Sequence, residues 1–247
     1  MKASRMLKGY LFAIISAVIY GCMPLMAKHI YADGVNAMTL VFLRNVLALP
    51  VLAVLAKLQN KTLKIPAKSL GAIGLLAAFG CCATPVLLFS SYHYIPSGTA
   101  TVFHFIYPCL VVVIGVIFLK KRVQVGTLLS LLLCLGGICL FYKPGAAFHW
   151  GGSGLATGSL VLPQSLLGWG LCLLFALGVT VGAVVLFQQG TFLIGGERAS
   201  ILSTLEPITS VVVGVLFLNE TIGLRDYMGA ALVVAASVLI AVLDMKK

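Results

Sequence analysis

Charge is scarce in this chain. Only 9% of its 247 residues are Asp, Glu, Lys or Arg, and just 6 are acidic. Soluble domains carry about 25% charged residues, so no ordinary water-facing surface can be built from this sequence. Metal-ligand spacing is missing too. The 4 histidines are scattered, and the 7 cysteines (Cys22, Cys81, Cys82, Cys109, Cys134, Cys139 and Cys172) fit no metal motif. Their odd count argues against a disulfide framework, and they read as small apolar packing residues. There is no Gly-x-Ser-x-Gly, no His-Glu-x-x-His and no phosphate-binding loop. No catalytic group, metal or cofactor is therefore expected. The net charge of +11 is not gathered on one face but spread through short loops, which speaks against nucleic acid as a partner.

What the chain has in quantity is apolar residue, 61% of the total. A bilayer core of roughly 30 Å needs about 20 apolar residues per helix, and the sequence supplies such runs repeatedly. The spans expected are Leu7–Ala27, Ala37–Ala56, Leu70–Ser91, Ser97–Leu119, Val125–Phe141, Leu166–Gly190, Ala199–Leu218 and Leu224–Leu243. All read as helices, because lipid offers the backbone no hydrogen-bond partner, and the runs are too long and unbroken for barrel strands. The first follows MKASRMLK, has no Ala-x-Ala cleavage pattern and reads as a retained helix rather than a signal peptide. The fold class expected is an all-α polytopic membrane protein of about eight helices.

Thirteen of the 17 Lys and Arg residues fall on one side of these spans, at the N-terminus, in the loops after spans two, four and six, and in the tail. Lys28, Lys143 and Arg225 fall on the other. Positive loops stay in the cytoplasm, so both termini are expected there, in a plasma (inner) membrane.

The stretch STLEPITSVVVGVLFLNE, residues 203–220, places a carboxylate and a helix breaker inside an apolar run. Shifting the sequence by 99 residues lays YPCLVVVIGVIFL (107–119) over EPITSVVVGVLFL (206–218). Pro108 then meets Pro207, Gly115 meets Gly214, and Ala100 meets Ala199. Upstream, VLLF (86–89) resembles VVLF (184–187). Spans three to five thus repeat as spans six to eight. Span four enters from outside and span seven from inside, which makes the repeat inverted, a building plan of secondary transporters.

The Glu206-Pro207 pair, the apolar run ending in Asn219-Glu220, the glycine-containing last span, FLRN at 42–45 and Tyr107-Pro108 together resemble the EamA-type permeases of the drug/metabolite transporter superfamily. That resemblance covers nearly the whole chain. It implies two inverted five-helix halves, ten helices in all, that move small metabolites across the plasma membrane. Two departures stand out. Position 121 is Lys where the second half has Glu220. The second half also holds three spans rather than five. The organisation expected is a first repeat at 7–143, a linker at 144–165 and a truncated repeat at 166–244. GGSGLATGSLVLPQSLLGW (151–169) resembles a scar, with Gly154–Leu160 like the start of a sixth helix, Pro163–Trp169 like the approach to an eighth, and the junction near Ser159–Leu162; a natural long outer loop is the alternative. Two missing helices would leave an apolar gap that a second copy could fill.

The candidate site residues are few. Glu206 lies about seven residues into its span, roughly 10 Å deep at 1.5 Å per residue. A carboxyl there either serves a proton or substrate site facing a cavity, or is a neutral packing group. Arg44, always charged, is a candidate partner for Glu206 or for a carboxylate substrate, with snorkelling as the plain alternative. His104 and Tyr107, three apart on one helical face, could hydrogen-bond a polar substrate. Pro24, Pro108 and Pro207 each strip a donor from a membrane helix and are candidate hinges. Tyr92, His93 and Tyr94 read as an interface belt, and Gly178, Gly182 and Ala183 as a close helix contact. The function expected is secondary transport of a small polar or amino-acid-like compound, outward, by alternating access. The competing reading is a truncated chain that assembles but carries nothing.

Overall fold

The fold was taken from a computed structural model, which describes residues 2–59, 66–106, 110, 113, 117, 125–141 and 160–244. Among these residues every regular element is helical. The helices are α1 (Lys2–Gly21), α2 (Met23–Ala32), α3 (Ala37–Leu58), α4 (Ala67–Leu76), α5 (Thr84–Ser91), α6 (Ser97–His104), α7 (Val125–Phe141), α8 (Leu166–Phe175), α9 (Val184–Ile194), α10 (Gly196–Ser203), α11 (Leu205–Phe217) and α12 (Leu224–Asp244). Two π-helical segments, Ala77–Ala83 and Ala176–Ala183, join α4 to α5 and α8 to α9. Five stretches are long and apolar enough to cross a membrane: Arg5–Ala32, Ala37–Leu58, Ala67–Ser91, Leu166–Ile194 and Arg198–Phe217. The protein is an all-helical polytopic membrane protein.

The chain divides into two compact units. One comprises Met1–Cys22, Ile95–Phe148 and Val185–Lys247, the other Met23–Tyr94 and His149–Val184. In the first, α11 packs against both α1 and α6, α10 packs against α1 and α12, and α12 runs along α7. These helices approach closely because small residues meet. A Cβ on Gly137 of α7 would come within 2.8 Å of the Gly229 carbonyl oxygen on α12, and one on Gly98 of α6 within 2.8 Å of the Val211 Cα on α11. In the second unit, α3 packs against α5 and both π-helical segments, and α8 packs against α2 and α3.

Helix ends are set by local chemistry. Asn36 caps α3, its side-chain oxygen accepting from Thr39 N at 2.8 Å, and Ser165 caps α8 by accepting from Gly168 N at 2.9 Å. Pro96 sits just before α6, and Gly195, at φ +89°, just before α10. Proline governs the interior breaks. The first span is interrupted at Cys22, two residues before Pro24, and the Cys22 N–H turns back to the Val18 and Ile19 carbonyls at 3.0 and 3.2 Å. Pro85 cannot donate to the carbonyl of Cys81, and the π-helical segment ends just ahead of it. Pro50 lies inside α3 without breaking it.

Three expectations need correction. Cys134 and Cys172 are buried, but Cys81, Cys82 and Cys139 are exposed on helix surfaces and are not packing residues. Tyr92 is buried rather than part of an interface belt, His93 stacks on Tyr31 with centroids 4.7 Å apart, and Tyr94 is exposed at the span end. Gly178 and Gly182 fall in the second π-helical segment, where four-residue spacing no longer stacks side chains on one face. No atom lies within 4 Å of a Cβ placed on Gly178. The expected linker falls mostly on 144–159, outside the described residues.

Candidate functional site

The polar centre of the first unit is built on α6, α10 and α11. The helix at Ser97–His104 and the helix at Gly196–Ser203 are each 8 residues long, begin 99 positions apart, and stop just ahead of the expected hinges Pro108 and Pro207. Pro207 cannot donate to the Ser203 carbonyl, so the run of helix breaks at Thr204 and resumes as α11. That break puts Glu206 in the first turn of α11, where the exposed N–H groups of a helix start favour negative charge. Glu206 is 9% exposed. Its carboxyl makes no hydrogen bond or ion pair among the described residues.

One turn further along α11, Ser210 is fully buried and its hydroxyl lies 2.9 Å from that of Thr101 on α6. Thr101 also donates to the Ser97 carbonyl at 3.0 Å. Ser97 in turn donates through its N–H to Glu220, at 3.0 and 2.9 Å to the two carboxylate oxygens, and through its hydroxyl at 2.8 Å. A file of buried hydroxyls therefore joins the start of α6 to the middle of α11. In an apolar setting each of these groups has to be satisfied internally, and here they satisfy one another.

Helix α1 reaches the same place. A Cβ on Gly21 would lie 2.8 Å from the Glu206 carbonyl oxygen and would overlap Thr209. The interruption of the first span at Gly21–Cys22 thus touches the interruption of the span that carries Glu206.

Arg44 and its neighbour organise the second unit. The Arg44 guanidinium carbon sits 5.7 Å from the ring centroids of both Phe89 and Phe175, and those two rings meet edge to face at 5.6 Å. Asn45 donates to the Val41 carbonyl at 2.8 Å and to the Cys81 carbonyl at 3.4 Å, the group that Pro85 leaves without its helical donor. Near the first span's end, Asp33 accepts from Gln164 N at 2.9 Å and Ser165 N at 3.1 Å, and Thr39 accepts from Val161 N at 2.8 Å. The Ser165 side chain and these backbone donors hold the Asp33 carboxyl below the usual Asp range.

Of the sequence-derived candidates, Glu206 and Pro207 lie together at the broken helix, His104 closes α6 in the same unit, and Arg44 and Pro24 belong to the other unit. Tyr107 and Pro108 lie outside the described residues, as does Lys121. No group of three or more metal-binding side chains occurs among the described residues. Sequence reading missed Ser97, Thr101 and Ser210. Their signal is hydroxyls on the buried face of α6 and α11, visible only once those faces are known.

Broken helices, a buried carboxyl and hydroxyl-lined contacts inside an apolar bundle are compatible with a membrane transport protein. The comparisons agree. The chain belongs to the EamA-like transporter family, which matches residues 7–143 and 146–242. It is a membrane transporter, and the family is one of transporters rather than enzymes. It is 24% identical to an uncharacterized inner membrane transporter, YicL, of Salmonella typhimurium, with 97% of each chain covered. It is 28% identical to an uncharacterized transporter of Haemophilus influenzae over 56% of this chain and 45% of that protein. No solved structure matches.

Proposed function

We propose that this chain is a secondary transporter that moves small polar, amino-acid-like metabolites out of the cell by alternating access. It sits in the inner membrane with both termini cytoplasmic. One observation carries the reading: two eight-residue half-helices in repeat register, each stopping ahead of a proline, with buried Glu206 at the restart of the second. Half-helix ends are where transporters of inverted-repeat design meet their cargo. Glu206, His104 and Tyr107 line the pathway in this reading. Arg44 holds the aromatic cluster of its own unit and offers charge to a carboxylate. Pro24, Pro108 and Pro207 are the hinges.

A second reading has its own support. The match to YicL runs over 291 positions although this chain has 247 residues, so the relative contributes positions with no counterpart here. Residues 70–82 of the third span are also almost wholly exposed. A pair of helices lost from the second half, near Ser159–Leu162, accounts for both. Such a chain could assemble, alone or with a second copy, and carry nothing. Export profiling separates the readings. Cells making this chain, its Glu206→Gln variant at equal membrane level, or neither are compared by the metabolites in the medium. A compound that accumulates only with the unaltered chain supports export through Glu206. Equal profiles in all three sink it.

A further inference from the structure

The second unit contains two spans in repeat register, and among the described residues only one of them is covered. Helices α4 and α8 are each 10 residues long and begin 99 positions apart, the same shift that lays Pro108 over Pro207. The π-helical segments that follow them, at Ala77 and Ala176, also begin 99 apart. In this register Gly71 matches Gly170, Leu75 matches Leu174 and Ala77 matches Ala176. The surroundings differ. On the later span Cys172, Phe175, Ala176 and Val179 are fully buried on one face, and α3 packs along that span. At the same places the third span carries Ile73, Leu76, Ala77 and Gly80, all exposed, Leu76 at 70%. Of the most apolar part of Ala67–Ser91 only 11% is buried, against 28–39% in the other four membrane-length stretches.

The repeat says what kind of cover this face takes. Helix α3 is the second span of the first half, and its equivalent would be a second span of the second half, which holds three spans rather than five. Direction follows from the covered pair. The starts of α3 and α8 are tied at one end, where Thr39 accepts from Val161 N at 2.8 Å and Asp33 accepts from Ser165 N at 3.1 Å. The two therefore run the same way. By the same symmetry, a helix that covers the third span runs parallel to it.

A second copy supplies such a helix. Two chains inserted the same way and related by a twofold axis along the membrane normal set identical spans side by side and parallel. Charge does not oppose this, because 69–91 contains no Asp, Glu, Lys or Arg. Helices in lipid associate by close packing rather than by hydrophobic burial, which favours small residues at the contact. Ala77 and Gly80 lie on this face, and no atom lies within 4 Å of a Cβ placed on Gly80. We infer that this chain pairs with a second copy of itself through the face of the third span that carries Ile73, Leu76, Ala77 and Gly80. Each copy then stands in for the helix that the other's second half lacks. This rests on the reading of a shortened second half given above.

The test counts copies. Full-length protein with one fluorophore at its tail is placed in liposomes at falling density, and bleaching steps are counted in each vesicle. Two steps are expected at densities where chance would give one. Gly80→Trp and Ala77→Trp should each weaken pairing by about tenfold or more, because an indole holds the two backbones apart. Leu75→Trp and Ala78→Trp match Leu174 and Leu177, which the covered span leaves partly open, and should leave pairing unchanged. All four positions are exposed within one chain, and melting curves check that each variant is folded. One step at every density, with Cys81 and Cys82 open to a membrane-permeant maleimide, gives the face to lipid. One step with both cysteines shielded gives it to another segment of this chain or to a different protein, which a denaturing gel tells apart. Two steps that survive Gly80→Trp and Ala77→Trp place the pairing elsewhere. Each of these three outcomes overturns the inference. Export profiling reads transport and bleaching reads pairing, so either can fail without the other. A second half that covers the third span by itself would show as the shielded, single-step result.

Discussion

Glu220 holds the start of the helix at Ser97, 123 residues away in sequence, through three hydrogen bonds from a single residue. Both carboxylate oxygens accept from the Ser97 N–H, and one also accepts from its hydroxyl. The carboxylate lies where a side chain on Gly214 would have been, since a Cβ there would sit 2.5 Å from Glu220 Oε2. This is a helix cap supplied from the turn that follows α11.

Removing that cap should be felt. Glu220→Ala is expected to lower stability by about 1–2 kcal/mol, the usual worth of a cap residue. Gly214→Val should do the same by displacing the carboxylate. Thermal unfolding in detergent would show both, and a double variant should lose little more than either alone. Additive losses would mean that the two residues act independently.

Close helix contacts should separate from open ones at glycine. Gly98→Ala is expected to destabilise by about 1–3 kcal/mol, because the added carbon strikes the Val211 backbone and forces α6 off α11. Gly136→Ala meets nothing within 4 Å and should be neutral or gain up to about 1 kcal/mol. Melting curves of the two variants, recorded side by side, decide the point.

Asp33 predicts a pH effect with a definite sign. Its folded-state pKa lies below the ordinary Asp value of 3.8, because the Ser165 side chain and the Ser165 and Gln164 N–H groups bind the ionised form. A depressed acid contributes stability that is fully present above the unfolded-state value and is lost as pH falls through the folded-state value. Stability of the unaltered chain should therefore drop as pH falls below about 4, and Asp33→Asn should flatten that drop while lowering stability at neutral pH. Hydrogen exchange at the amides of 164 and 165 reports it locally. An unchanged acid slope in Asp33→Asn would count against the contact.

Arg44 should resist conservative replacement. Each ring contact of this kind is worth about 0.5–2 kcal/mol, and Phe89 and Phe175 share the one guanidinium. Arg44→Lys keeps the charge but loses the flat face that stacks on both rings, so it should recover less than half of the stability lost in Arg44→Ala. Full recovery by Lys would show that charge alone matters. Asn45→Leu should cost about 1–3 kcal/mol by leaving the Cys81 carbonyl without a donor.

The helices were legible because lipid makes the pattern simple. The apolar runs at 37–56 and 70–91 reappear as the stretches Ala37–Leu58 and Ala67–Ser91. The break near Pro207 was legible for the same reason, since a proline deletes a donor wherever it falls. The FLRN stretch was noticed as a resemblance, but what it does was not. Arg44 and Asn45 act on Phe89, Phe175 and Cys81, and no local rule links positions that far apart. Pro50 shows the converse, a breaker that breaks nothing because α3 tolerates it. Gly178 and Gly182 misled because a four-residue spacing assumes an α-helix, and the segment there is wound more widely.

Both sequence halves feed both compact units, and this bears on how the protein is made. Ser97 and Thr101 enter the membrane with the first half, yet their partners Glu220 and Ser210 are synthesised 123 and 109 residues later. Asp33 likewise waits 131 residues for Gln164. The first half therefore cannot settle these particular groups by itself. Their final pairing waits until the last spans arrive. A ribosome that stalled in the second half would leave behind inserted helices in which Ser97 and Thr101 lack Glu220 and Ser210.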